Sequence, residues 1–419
     1  MSASAVPARL TDGPRLWADL MTMAGIGALP AGGCCRLSLT DEDRQARDLF
    51  AGWCREAGCT VRVDAFGNMF ATRPGRAAGA GHVLVGSHLD TQPHGGRFDG
   101  VLGVLAGLET VRALNAAGIE TERPVTVVNW TNEEGVRFQP GLTGSAGFVG
   151  ALTAGDEAAI TAADGARFFE DLHRTGYAGS AALQIPVAGY YELHIEQGPV
   201  LEQAGIAVGV VEGVQGVRWL AVTLTGEDRH AGTTPAGERR DAFMAAARLA
   251  LDMRTAAALL SPDLRITFGR VTVEPNSTNT VPGRATLAID LRHSQTALLD
   301  RMEGEIRAAV AGLAGSEGVG GTVARLMDVA PVHFDARMQA IIASAAERLG
   351  IRTLRLPSGA MHDASNLATV APAAMIFVPS RGGISHNESE WTEPQHVTEG
   401  CEVLAQAVLH HALQPAGPW

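Results

Sequence analysis

Short apolar runs alternate with helix-period segments through the first half of the chain, and no other feature limits its fold as much. HVLVGS (82–87), PVTVVNW (124–130) and YYELHI (190–195) read as buried strands. Between the first two, GVLAGLETVRALNAAG (103–118) reads as a helix closed by Gly118. A strand that must cross over through a helix before the next strand pairs in parallel. The order therefore predicts an α/β fold: a central, mostly parallel sheet with helices on both faces.

The texture changes near residue 213. RWLAVTLTG (218–226) alternates apolar and polar positions, as a half-exposed strand does. An Ala-rich helix (242–260), strands RITFGRVTVEP (265–275) and RATLAIDLR (284–292), a helix near 296–314 and a strand near 321–328 follow. This is the pattern of a smaller α+β sandwich. The first texture then returns as a helix (336–349), the strand AAMIFVP (373–379) and a last helix (394–413). The expected domains are therefore 1–212 with 331–419, and an inserted unit at 213–330. The Ala/Gly-rich stretch 151–187 reads as mixed loop and helix.

Composition removes several function classes. A formal net charge of −12 argues against nucleic acid, whose phosphates need clustered cations. Five cysteines, with no C-x-x-C pair, argue against a disulfide framework or a thiolate zinc site. Reduced thiols and the absence of a basic start followed by an apolar run in MSASAVPARL point to the cytosol. No apolar run reaches the roughly 18 residues of a membrane helix.

Ligands of such sheets bind beyond the carboxyl ends of the strands. His88 and Asp90 follow one strand, Glu133 and Glu134 the next, His194 and Glu196 end a third, and His386 follows a fourth. Asp99 lies in GGRFDG, just before a helix. Each residue alone is more often a packed or solvated side chain than a ligand. Together they offer imidazole and carboxylate without thiolate, which suits zinc, manganese or cobalt. His88, Asp99, Glu134, His194 and His386 would supply a two-cation site with Asp99 as bridge, and Asp90 could orient His88 from behind. Rival motifs are weak. No phosphate-binding G-x-x-x-x-G-K-[ST] occurs, GSAG (144–147) lacks the first glycine of a nucleophile elbow, and Ser365 lies too close in sequence to His362 and Asp363 to form a triad with them.

The wording of GSHLDTQPHGGRFDGVLGVLAGLE, NWTNEEGVRF, ELHIEQGPVLE, HAGTTPAGERRDA, NSTNTVPG and SGAMHDA resembles the amidase branch of the dinuclear aminoacylase/carboxypeptidase superfamily. That branch holds the N-carbamoyl-L-amino-acid hydrolases, β-ureidopropionases and allantoate amidohydrolases. The resemblance implies two divalent cations on His88, Asp99, Glu134, His194 and His386. It implies Glu133 as catalytic base and His230 as a lid histidine facing the developing oxyanion. It implies substrate contacts at Gln197, Asn279, Arg292 and the main chain of Gly359. A lid and homodimerisation role for the inserted domain comes with it.

The expected reaction is hydrolysis of the carbamoyl C–N bond of a small carboxylate-bearing ureido substrate. GVQGVRW (213–219) and NWTNEEGVRF look most like the N-carbamoyl-L-amino-acid hydrolases. Allantoate amidohydrolase and β-ureidopropionase are the alternatives within the branch. A catalytically silent cation-binding dimer, or a binding protein without chemistry, is the alternative outside it. Met361 and Glu388 depart from the branch, which commonly has glycine and proline there, and both bear on substrate identity.

Overall fold

The computed structural model describes residues 9–180 and 183–415. Two compact units are present, Met1–Gly213 with His333–Trp419, and Val214–Val332.

The larger unit is built on a nine-stranded sheet. Its order is Thr60–Val63, Met69–Arg73, Val125–Trp130, His82–His88, Val187–Ile195, Ala373–Val378 and Val208–Val214, with Val332–His333 and Thr353–Ser358 beside the last. The four central strands run parallel, and antiparallel pairs flank them. All four are buried along their length, but for the first residue of His82–His88 and of Val187–Ile195, as strands covered on both faces must be. The helix Val101–Ala116 is buried on almost every side, because it packs both on the sheet and against Pro394–Ala412. The strands and helices expected from 82 onward form within a few residues of their predicted bounds.

Elements before residue 80 carry no expectation from the sequence. Helices Gly13–Ala24 and Asp41–Glu56 are present there. Asp12 caps the first by accepting from the Arg15 N–H, and Thr40 caps the second at Asp43. Asp41, Glu42 and Asp43 then place negative charge at that helix's positive end. Within 151–187, a short 3₁₀ turn (Ala154–Ala159) and the helix Phe168–Thr175 form.

The smaller unit is a four-stranded antiparallel sheet in the order Gly320–Val329, Gly216–Thr225, Arg284–His293, Arg265–Glu274. Helices Ala242–Leu260 and Thr296–Ser316 cover one face. Period-two alternation aims Leu220, Val222, Leu224, Leu287, Ile289 and Leu291 at those helices, where all are buried. Asp241 starts the first helix by accepting from the Phe243 and Met244 N–H groups. All five cysteines are free, and no helix among the described residues is long and apolar enough to cross a membrane.

Candidate metal centre

Strand register assembles the site. His88 pairs in register with Trp130, so the turn bearing Glu133 and Glu134 leaves the sheet beside His88. Phe377 pairs with His194, so the loop leading to His386 leaves beside His194. Asp99 stands two residues before the helix Val101–Ala116, at its positive end.

Three imidazoles converge on this one carboxylate. His88 Nε2 and His194 Nε2 lie 3.6 and 3.1 Å from Asp99 Oδ1, and His386 Nε2 lies 3.4 Å from Oδ2. His386 Nε2 is also 3.5 Å from Glu134 Oε2. Two donor groups result, His88–Asp99–His194 and Asp99–Glu134–His386, and they share Asp99. The structure thus brings together all five residues expected as ligands. A third group, Glu192–His194–His362, lies deeper. There Glu192 is already engaged by Ser87, Tyr190 and the Ala364 N–H.

The donors are prepared for a cation. His88 Nδ1 and His194 Nδ1 lie 2.9 and 2.8 Å from the main-chain oxygens of Asp90 and Ile195, which aims each Nε2 inward. Burial keeps His88 neutral, with its pKa down at about 4. Burial works against charge on His194 too, but Asp99 outweighs it and raises that pKa to about 9. Burial also opposes charge on Asp99, yet hydrogen bonds from His194 and His386 hold its carboxyl well below the usual range. Glu133 and Glu134 are pushed well up, first by burial. Asp363 adds most to the first and Asp99 most to the second. The oxygens Glu134 Oε1 and Gln197 Oε1 are buried without a hydrogen-bond partner. Crowded carboxylates, buried oxygens without a partner and three imidazoles around one carboxylate make a donor set that fits divalent cations.

Backbone conformation serves the same end. Gly100 has φ +68°, and a Cβ there would sit 2.3 Å from the His88 ring. His386 and Gln197 hold positive φ, 52° and 58°, in a region that side chains rarely occupy.

Asp90 requires a correction. Asp90 does orient His88, but not through its side chain: Oδ1 is 3.9 Å from His88 Nδ1, beyond a hydrogen bond. The main-chain oxygen takes that place, and the carboxylate instead accepts from the Glu133 and Glu134 N–H groups, both at 3.3 Å. Glu196 caps the following short helix through the Val200 and Leu201 N–H groups. Glu133 Oε2 lies 3.5 Å from His88 Nε2, and Gln197 Nε2 donates to Asp99 Oδ2 at 2.8 Å. Gly359 is exposed just beyond the strand Thr353–Ser358.

In the smaller unit, His230 and Asn279 are neighbours. Thr280 pairs with His230, and the Ala231 N–H donates to the Asn279 main-chain oxygen at 2.8 Å. The His230 ring is exposed. Arg292 grips Asp290 through Nε and one terminal nitrogen, at 2.9 and 3.1 Å.

Several residues of the centre went unassigned in the sequence. Gln92 donates to Glu134 Oε2 at 2.7 Å, and Ser385 Oγ lies 2.8 Å from Asp99 Oδ2. Glu390 accepts from the Phe98 and Asp99 N–H groups. Their one sequence signal is closeness to a ligand: Gln92 lies in HLDTQ, and Ser385 and Glu390 in SHNESE.

The sequence pattern of Peptidase family M20/M25/M40 matches residues 84–410. An N-carbamoyl-L-amino-acid amidohydrolase of Rhizobium meliloti is 43% identical, covering 96% of this chain and 97% of that protein. An allantoate amidohydrolase of Escherichia coli is 35% identical, covering 94% and 96%. The crystal structure of an amidase of the hydantoinase/carbamoylase family from Burkholderia multivorans is 46% identical. It superposes with a TM-score of 0.93, covering 98% of this chain and 100% of that one. With a shared-carboxylate centre at the strand ends and full-length relatives of this kind, the chain belongs to the metal-dependent peptidase family M20/M25/M40, within its amidase branch.

Proposed function

We propose that this protein hydrolyses the carbamoyl C–N bond of N-carbamoyl-L-amino acids, using two divalent cations. The convergence of His88, His194 and His386 on the two oxygens of Asp99 carries the reading. The Rhizobium meliloti relative, an N-carbamoyl-L-amino-acid amidohydrolase at 43% identity, supports the substrate class.

His88, Asp99 and His194 would hold one cation, and Asp99, Glu134 and His386 the other. Bound zinc, manganese or cobalt would supply Lewis acidity at the scissile carbonyl and lower the pKa of the attacking water. Glu133 takes the proton of that water and returns it to the departing nitrogen. Burial, with Asp363 and Glu134 adding to it, raises the affinity of its carboxyl for that proton. Asp90 acts through main-chain hydrogen bonds that hold the Glu133–Glu134 turn. Gln197, which donates to Asp99, is assigned a substrate contact through the same amide. His230 is assigned to the developing oxyanion, Asn279 and Arg292 to the substrate carboxylate, and Gly359 to a main-chain contact. Resemblance to the amidase branch supports these assignments and a homodimer, carried by HAGTTP, NSTNTVPG and SGAMHDA for His230, Asn279 and Gly359, while five free cysteines support the cytosol. One water is consumed, and the products are amino acid, ammonia and carbon dioxide.

Ammonia release from a panel of N-carbamoyl-L-amino acids, with N-carbamoyl-β-alanine and allantoate included, tests the reading. Release is expected from the α-amino-acid derivatives and should vanish on complete chelation, then return with added cation. Turnover that survives removal of all metal would overturn the mechanism. Faster turnover of allantoate or of the β-derivative would move the substrate assignment within the branch, and silence across the panel would favour a binding role.

A further inference from the structure

We propose that Glu390 is a positioning residue that sets the shared carboxylate Asp99 and the third imidazole His386 relative to each other. The inference rests on the reading of those two side chains as cation ligands.

Glu390 is only 2% exposed, and its two oxygens face two different segments. Oε1 accepts from the Phe98 and Asp99 N–H groups, at 3.0 and 3.2 Å. Oε2 lies 2.9 Å from Ser385 Oγ, and that same hydroxyl lies 2.8 Å from Asp99 Oδ2. A closed circuit results, running from Glu390 to the Asp99 main chain, along the Asp99 side chain to Ser385, and back. Ser385 directly precedes His386, whose φ of 52° needs outside support. The Glu390 N–H in turn donates to the Asn387 main-chain oxygen at 2.9 Å, closing the turn that directly follows His386.

The space around Glu390 is shaped for it. A Cβ on Gly96 would stand 2.0 Å from Glu390 Oε1, so the Asp99 segment comes as near to this carboxylate as a main chain can. Without Glu390, two buried N–H donors lose their acceptor, and Ser385, which touches Asp99, loses the carboxylate that fixes its hydroxyl. Partners one step behind metal ligands act in this way, and losing them weakens cation affinity more than it disturbs the fold.

Glutamine retains the circuit. Its oxygen can accept from both N–H groups, and its amide can donate to Ser385 Oγ, whose own proton then goes to Asp99. The test uses the full chain and zinc alone as probe. Zinc affinity is read by competition with a chromophoric chelator, and thermal unfolding is read on the metal-free proteins. Glu390→Ala is expected to weaken zinc binding by about 10–100-fold. Glu390→Gln should restore most of that loss, and Ser385→Ala should weaken binding in a way that does not add to Glu390→Ala.

Zinc affinity in Glu390→Ala equal to that of the unsubstituted protein overturns the inference, even if its thermal midpoint falls, since a merely structural role does that. Should Glu390→Ala fail to fold, Ser385→Ala decides, and unchanged affinity there overturns it equally. Failure of the unsubstituted protein to bind zinc overturns the ligand reading itself, and this inference with it.

Discussion

His88 directs its Nδ1 to the main-chain oxygen of Asp90, 2.9 Å away, and not to the Asp90 carboxylate. The carboxylate is thereby free for the Glu133 and Glu134 N–H groups. One residue thus orients a ligand with its backbone and the turn of the proposed base with its side chain. Asp90→Asn keeps the backbone contact but turns an NH₂ toward one of the two N–H donors. Turnover is expected to fall about 10–100-fold, while cation content, read by elemental analysis, stays near that of the unsubstituted protein. A loss of cation with turnover per cation unchanged would contradict this division of roles.

Glu133 stands beside His88 but belongs to neither donor group built on Asp99. Glu133→Gln should therefore keep the cations and lower kcat by about 10²–10⁴-fold, with KM nearly constant. Steady-state ammonia release beside metal analysis checks this. Turnover near that of the unsubstituted protein would remove Glu133 as the base.

Gly100 has φ +68°, and a Cβ would strike the His88 imidazole. Gly100→Ala is expected to cost about 1–3 kcal/mol of stability and to displace His88 from Asp99. Denaturant unfolding measures the first effect and cation stoichiometry the second. Full stoichiometry in this variant would mean that the His88 pocket is more yielding than its packing implies.

His411 is fully buried and stands edge-on to Tyr191, with ring centroids 5.8 Å apart. Burial, with Arg123 nearby, depresses its pKa to about 3. The unfolded chain takes up this proton near pH 6.5, and the folded chain does so only near pH 3. The contribution to stability is therefore complete above about pH 6.5 and is lost as pH falls toward 3. His411→Leu should reduce the loss of stability between pH 6.5 and 5 by about 2 kcal/mol. Urea unfolding at the two pH values tests this, and an undiminished acid loss would place its origin elsewhere.

The five residues proposed as ligands are legible in the sequence because strand ends are legible. His88, Glu134, His194 and His386 each end or follow an apolar run, and Asp99 stands just before a helix. Gln92, Ser385 and Glu390 were not, since a loop side chain becomes a partner only when another loop is brought to it. Asp90 shows how spacing misleads. Two residues along an extended chain put its carboxylate on the side of His88, yet two N–H groups from a distant turn compete for that carboxylate and hold it.

What the sequence determined alone was the kind of atom offered at each strand end, together with the parallel sheet that collects such ends at one edge. Hydrophobic periodicity is a local property, and it survives without knowledge of neighbours. The tertiary structure decided the register, which sets His88 beside Trp130 and His194 beside Phe377, and with it which imidazole nitrogens point at Asp99. A hydrogen bond fails within an ångström, so its partners are chosen by packing across the whole unit and cannot be read from order along the chain.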